Sequence, residues 1–133
     1  MAELTGANVL VVEDEYFVAA DLVRALDAAG GKPVGPAASL EQARTLLDEE
    51  RVDAAILDLN LRGEMAYPLV AEIRARGLQC VIMSGYSPES LPESLRHVPS
   101  LEKPVDYDRV VRSLAAEIVA RSAQPGFTPR RPG

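Results

Sequence analysis

Cysteine is nearly absent from the chain: among 133 residues there is one, Cys80, beside an apolar run. A single thiol excludes an internal disulfide framework and a cysteine-built metal site, and it fits a reducing, cytosolic setting. A small core residue is the simplest role for it. Basic charge is also in short supply. The net charge of -6 argues against a nucleic-acid-binding surface, and Arg130-Arg131 near the C-terminus is too short to act as a nucleic-acid arm. No apolar run approaches the roughly 18–20 residues of a membrane helix. The N-terminus has no basic stretch followed by a long apolar one, so no signal peptide is expected. There is no internal repeat, and neither G-x-G-x-x-G nor G-x-x-x-x-G-K-[ST] occurs, which disfavours a dinucleotide or P-loop site.

What is present is enough for one domain. An apolar fraction of 47% is ordinary for a globular chain of this size. The stretch Ala54-Ala55-Ile56-Leu57 reads as a strand buried on both faces, and it ends in a carboxylate, Asp58. Asn8-Val9-Leu10-Val11-Val12 is a similar run and stops at Glu13-Asp14-Glu15. Between them, Tyr16 to Ala29 has helical spacing through Val18, Leu22 and Leu26, and Gly30-Gly31 ends it. Lys32-Pro33-Val34-Gly35 reads as a short strand, at a sheet edge because Pro33 cannot donate to a ladder. Ser39 with Gln42 forms a capping-box pattern that opens a helix to about Glu49.

After Asp58, Leu61 to Tyr67 reads as a loop, and a helix through Leu69, Val70, Ile73 and Ala75 ends at Gly77. Leu78 to Met83 is another apolar strand, closed by Ser84-Gly85-Tyr86-Ser87-Pro88. Glu89 to Val98, broken by Pro92, predicts at most a short helix. Ser100-Leu101 is a minimal strand before Glu102-Lys103-Pro104. Asp106 caps a final helix through Val110, Val111, Leu114, Ile118 and Val119. The expected organisation is a lead over 1–5, a domain over 6–122 and a disordered Pro/Gly-rich tail over 123–133.

Strands alternating with helices predict an α/β fold: a single doubly wound, five-stranded parallel sheet in the flavodoxin-like order 2-1-3-4-5, with a shortened or irregular fourth helix before the last strand. Its switch point then falls between strands one and three. That brings Glu13, Asp14 and Asp58 into one crevice. Like charges so close repel unless a cation joins them. Mg²⁺, a hard ion with oxygen ligands, suits such a set, and Asn60 offers a main-chain carbonyl beside it. Ser84 and Lys103 end the fourth and fifth strands at the same edge. A carboxylate nucleophile, a metal, a hydroxyl and an ammonium are the parts that phosphoryl transfer needs.

The set Val11-Val12-Glu13-Asp14-Glu15, Leu57-Asp58-Leu59-Asn60, Met83-Ser84-Gly85 and Lys103-Pro104 resembles the receiver domain of two-component response regulators, over about residues 6 to 121. The resemblance implies Asp58 as phosphoacceptor, Glu13 and Asp14 as the acid pair for Mg²⁺, Asn60 as a carbonyl ligand, Ser84 as switch hydroxyl and Lys103 as the phosphate-binding cation. It also implies a cis Lys103-Pro104 bond and a cytoplasmic protein. The implied phosphodonor is a histidine kinase or histidine phosphotransfer protein. Oligomeric state would be a monomer or a phosphorylation-dependent dimer, with no nucleic-acid or membrane partner. The sequence departs from the family where an aromatic is usual, at Ser100, and in the short, proline-broken stretch after Ser84. Asn60-Leu61-Arg62-Gly63-Glu64, Ser84-Gly85-Tyr86 and Leu91-Pro92-Glu93 are similar to an atypical subgroup common as stand-alone proteins in alphaproteobacteria, and Tyr86 becomes the candidate moving aromatic.

With no output domain expected beyond 122, signalling would run through protein–protein contact, and no catalysis beyond the chain's own phosphorylation and dephosphorylation is implied. Two alternatives remain: a receiver-like binding module that is not phosphorylated, and a Mg²⁺-dependent aspartyl phosphatase of the haloacid-dehalogenase type. The latter wants a second Asp where Asn60 stands. His97 reads as structural or solvated; Arg62 is near the site, where contact with the phosphoryl group is weighed against a surface role and the surface role is preferred.

Overall fold

Two interior strands, buried on both faces, build the molecule. In a computed structural model describing residues 3–122, strand β1 is Asn8–Val12 and β3 is Ala54–Asp58. Successive side chains of a strand point to opposite faces. Accordingly Leu10, Val12, Ala55 and Leu57 enter one core, while Val9, Val11, Ala54 and Ile56 enter the other. Each such fully buried valine, leucine or isoleucine contributes roughly 1.5–3 kcal/mol of transfer free energy.

The other sheet strands are β2, Lys32–Ala37, β4, Gln79–Ser84, and β5, Ser100–Glu102. All pairings in this sheet are parallel, and the order is β2-β1-β3-β4-β5. The expected doubly wound α/β architecture is therefore present. Helix α1 is Tyr16–Ala28 and α2 is Leu40–Glu49. Helix α3 is Tyr67–Ala75 and α4 is Tyr107–Ser122. Helices α2 and α3 pack with the first core, α1 and α4 with the second. Among the described residues, no helix is long and apolar enough to cross a membrane.

Local details follow from residue chemistry. Proline-bearing β2 is at an edge, but it runs on through Pro36 to Ala37, whose carbonyl accepts from the Glu13 amide at 2.9 Å. The Gly35–Pro36 and Lys103–Pro104 peptide bonds are both cis. Ser39 Oγ accepts from the Gln42 amide at 3.1 Å, and Gln42 Oε1 accepts from the Ala38 amide at 2.8 Å, one residue earlier than a standard capping box. The Asp106 carboxylate accepts from the Asp108 amide at 3.0 Å at the start of α4. Leu4, in the expected N-terminal lead, is buried, and its amide donates to Ala29 O at 2.8 Å. The stretch expected as a disordered tail lies outside the described residues.

One expectation is corrected. The segment after Asp58 is not a plain loop: Asn60–Leu61 and Glu64–Met65 pair as a small antiparallel ladder around Arg62-Gly63. Arg62 has φ 53 and Gly63 φ 89, the paired positive values a tight hairpin turn requires. The proline-broken stretch after Ser84 forms only two 3-10 turns, Pro88–Ser90 and Glu93–Leu95. Leu91, Leu95 and Val98 are buried and pin it to the core shared with α2 and α3.

Candidate functional site

The C-terminal ends of β1 and β3 lie side by side, with Val12 paired to Leu57. The next residues are therefore neighbours, and they are acids. Glu13, Asp14 and Asp58 each offer a carboxylate oxygen, all within 4.8 Å of one another. Glu13 and Asp58 are buried, and Asp14 is half-buried.

Each carboxylate has defined partners. Glu13 Oε2 accepts from the Glu15 amide at 3.0 Å. Asp58 Oδ1 accepts from the Asn60 amide at 3.1 Å. Lys103 Nζ donates to Asp58 Oδ2 at 2.9 Å and to Glu13 Oε1 at 3.2 Å, and lies 3.5 Å from Glu15 Oε1. Asp14 Oδ2 instead faces Arg62 Nε at 3.4 Å. The register of β4 and β5 delivers the remaining groups. Asp58 is paired with Met83, so Ser84 follows at the same edge, and the Lys103 amide donates to Ser84 O at 2.7 Å. Ser84 is buried, and its Oγ accepts from the Tyr86 amide at 2.9 Å. Tyr86 is 48% exposed. At Ser100 a small side chain stands with its Oγ buried and without a hydrogen-bond partner.

The electrostatics reflect three clustered acids against one half-buried ammonium. Burial pushes the Glu13 carboxyl up to about 7 from 4.5, the Asp58 charge adding to it, while the Glu15 amide and Lys103 oppose it. Burial works against the Lys103 ammonium too, but the hydrogen bond and charge of Asp58, then Glu13, outweigh it and hold Lys103 above its ordinary value. The donor set is made of carboxylate oxygens only, in excess over the nearby positive charge. That chemistry fits a hard divalent cation such as Mg²⁺ rather than a soft one.

The structure thus brings together Glu13, Asp14, Asp58 and Lys103, with Ser84 and Asn60 at the adjoining strand ends. Asn60 contributes its amide to Asp58, and its side chain accepts from the Gly63 amide at 2.7 Å. Tyr86 touches the set through its backbone only among the described hydrogen bonds. His97 is on the surface, with Nε2 2.5 Å from Arg74 Nη1. Two further contributors have no pairing assigned from the sequence. Glu15 shares Lys103, and its place in the triple-acid run is the available signal. Arg62, expected as a surface residue near the site, reaches Asp14, a partner the sequence does not mark.

A family model described as the response regulator receiver domain matches residues 9–115. The chain is 30% identical over 112 residues to the transcriptional regulatory protein CitT of Bacillus subtilis (strain 168), covering 77% of this chain and 48% of CitT. It therefore spans about half the length of that curated relative. The solution structure of SdrG from Sphingomonas melonis Fr1 is 36% identical, with a TM-score of 0.73 over 89% of this chain and 99% of that one. A BeF3-activated conformation of SdrG from Pseudomonas melonis Fr1 is 35% identical, with a TM-score of 0.71 over 86% and 99%. TrrA from Thermotoga maritima in complex with Mg²⁺-BeF shares the fold at 20% identity, with a TM-score of 0.69 over 83% and 97%. The family match covers most of the sheet and every strand end that carries the acidic site, and by it the chain belongs to the response regulator receiver family.

Proposed function

We propose that this chain accepts a phosphoryl group on Asp58 in a Mg²⁺-dependent reaction and signals through protein–protein contact. The observation that carries the reading is a buried Asp58 whose Oδ2 lies 2.9 Å from Lys103 Nζ, with the Glu13–Asp14 pair within 4.8 Å. Receiver domains bind Mg²⁺ at an acidic pocket, and receiver membership implies phosphorylation by a kinase or phosphotransfer partner.

In the proposed step an Asp58 carboxylate oxygen attacks phosphorus of a phosphohistidine on a histidine kinase or phosphotransfer protein. The new O–P bond forms as the N–P bond breaks, and the electron pair returns to the imidazole nitrogen, which takes a proton. Mg²⁺, when bound, supplies neutralisation of the phosphoryl oxygens. Glu13, Asp14 and Asp58 would hold it, with the Asn60 main-chain carbonyl. Lys103, freed from part of its contact with Asp58, turns to a phosphoryl oxygen, and Ser84 Oγ donates to another. The Ser84 hydroxyl now accepts from Tyr86 N at 2.9 Å, so its turn towards the phosphoryl group would pull on that loop. Tyr86 is the aromatic we assign to this movement. Such an encounter would occur in the cytoplasm, with the chain a monomer or a phosphorylation-dependent dimer.

The test is intact mass after incubation with a small acyl-phosphate donor, with Mg²⁺ and with chelator, for the native chain and Asp58→Ala. One added phosphoryl group, dependent on Mg²⁺ and lost in the variant, is expected. A folded protein that binds Mg²⁺ and gains nothing from this donor or from a phosphorylated phosphotransfer protein would be a binding module instead. Sustained turnover of an aryl phosphate would favour a phosphatase.

A further inference from the structure

Two different cations answer the three clustered acids. Lys103 Nζ is held between Asp58 and Glu13, at 2.9 and 3.2 Å, with its side chain 22% exposed. Asp14 is left to Arg62, whose Nε lies 3.4 Å from Asp14 Oδ2. The Arg62 side chain is 78% exposed and that of Asp14 only 10%. A nearly buried carboxylate is thus paired with a guanidinium that stands almost entirely in water.

The turn that carries Arg62 is built for this reach. Arg62 has φ 53, the one positive value at a non-glycine residue among those described. Side chains rarely adopt that backbone, which asparagine and aspartate tolerate far better than arginine. The conformation is held on both sides. Asn60 Oδ1 accepts from the Gly63 amide at 2.7 Å, and Asn60 and Leu61 pair with Met65 and Glu64. The Ala66 amide donates to Leu59 O at 2.8 Å and closes the base of the hairpin. The small ladder therefore folds the chain back from Asp58 and lays Arg62 against the acid at the end of the neighbouring strand.

We infer that Arg62 is a displaceable counterion for Asp14, a positioning residue that must leave before a divalent cation is held by Glu13, Asp14 and Asp58. The inference rests on the Mg²⁺ reading above and goes beyond it by naming what the ion competes with. The two pairs are unequal by construction. Lys103 is shielded and shared by three acids, Asp58, Glu13 and Glu15, so it stays with the cluster. Arg62 keeps its solvation, so releasing it to water costs little. Pairs this exposed shift an equilibrium by about two- to fivefold. That is enough to lower the apparent affinity for a cation and too little to block it. Once released, Arg62 remains tethered four residues after Asp58, on the rim of the same crevice.

The test is calorimetric titration of the native chain with Mg²⁺ at pH 8 and fixed ionic strength, repeated on three variants. Arg62→Asn removes the charge and suits the left-handed turn. Arg62→Lys restores a cation of similar reach. Arg24→Asn removes an exposed charge of α1 that pairs with Asp21, as a control for net charge. Urea midpoints confirm that each variant is folded. Arg62→Asn is expected to bind Mg²⁺ about two- to fivefold more tightly, with Arg62→Lys and Arg24→Asn close to the native chain. Binding by Arg62→Asn alone, with none measurable in the native chain, would overturn the displaceable reading, since the pair would then block the ion and not merely compete with it. Equal affinity in the native chain and Arg62→Asn, or an equal gain in Arg24→Asn, would overturn it while leaving the metal reading intact. Absence of binding in all four would overturn the metal reading and this inference with it.

Discussion

Replacing Glu13 by glutamine should stabilise the metal-free protein at alkaline pH, although it removes a carboxylate that contacts Lys103. Glu13 is buried, and its carboxyl is pushed up to about 7 from 4.5 chiefly by that burial. Between these two values the folded chain binds a proton that the unfolded chain releases. Stability therefore falls as pH rises from 4.5 towards 7, and the full cost is present above 7. The size of the shift sets that cost at about 3 kcal/mol at pH 8 and below about 1 kcal/mol at pH 5. That cost already contains the opposing Lys103 contact at 3.2 Å, and Asp58 stays with the lysine at 2.9 Å, so we expect a net gain of up to about 3 kcal/mol at pH 8. Urea unfolding of the native chain and Glu13→Gln, in chelator at pH 5 and pH 8, reads the difference directly. The gain should shrink towards zero at pH 5 and reverse at pH 8 when Mg²⁺ is added, because the variant has lost a ligand. Destabilisation at pH 8 without metal, or a difference that does not change with pH, would refute the reasoning.

Other outcomes follow from the same interactions. Lys103→Met leaves Asp58 and Glu13 buried without their cation and should cost roughly 2–4 kcal/mol in urea unfolding at pH 8, moderated by the 22% exposure of the lysine side chain. Since Lys103 is held above its ordinary value, its stabilising contribution is complete at pH 8 and is lost only as pH rises through that elevated value. Adding Asp58→Asn to Lys103→Met should recover part of the loss, and a double-mutant cycle measures how much. Cys80 is buried, with its thiol pushed up to about 11, so a thiol reagent at pH 7.5 should react with the unfolded chain and not with the native one. Ser39→Ala removes the acceptor for the Gln42 amide and should lower stability by about 1 kcal/mol without changing Mg²⁺ affinity.

The parts of this structure that a sequence shows are those whose environment leaves a periodic mark. β1 and β3 are covered on both faces, so they read as unbroken apolar runs, and the acids that end them stand out against that background. Their adjacency then follows from the alternation of strands and helices, which brings Glu13, Asp14 and Asp58 together before any coordinate is known. Lys103 is readable because it closes a minimal strand with a proline after it. The two-residue strands after Asp58 have no period to detect, so the hairpin reads as a loop. Nor does an arginine announce that it will take a positive φ, since glycine and asparagine are the residues that do so by preference. β2 carries two prolines, and its extension through Pro36 to Ala37 depends on pairing with β1 that local propensity does not encode.

The central claim is that Asp58, and no other carboxylate of the cluster, takes the phosphoryl group. The direct measurement is borohydride trapping. The chain is treated with an acyl-phosphate donor and Mg²⁺, reduced so that an aspartyl phosphate becomes homoserine, digested and sequenced by tandem mass spectrometry. The account predicts homoserine at position 58 alone, absent when Mg²⁺ is chelated. Reduction at position 14, or an unmodified Asp58 in a chain that binds Mg²⁺ and gains phosphate elsewhere, would contradict it.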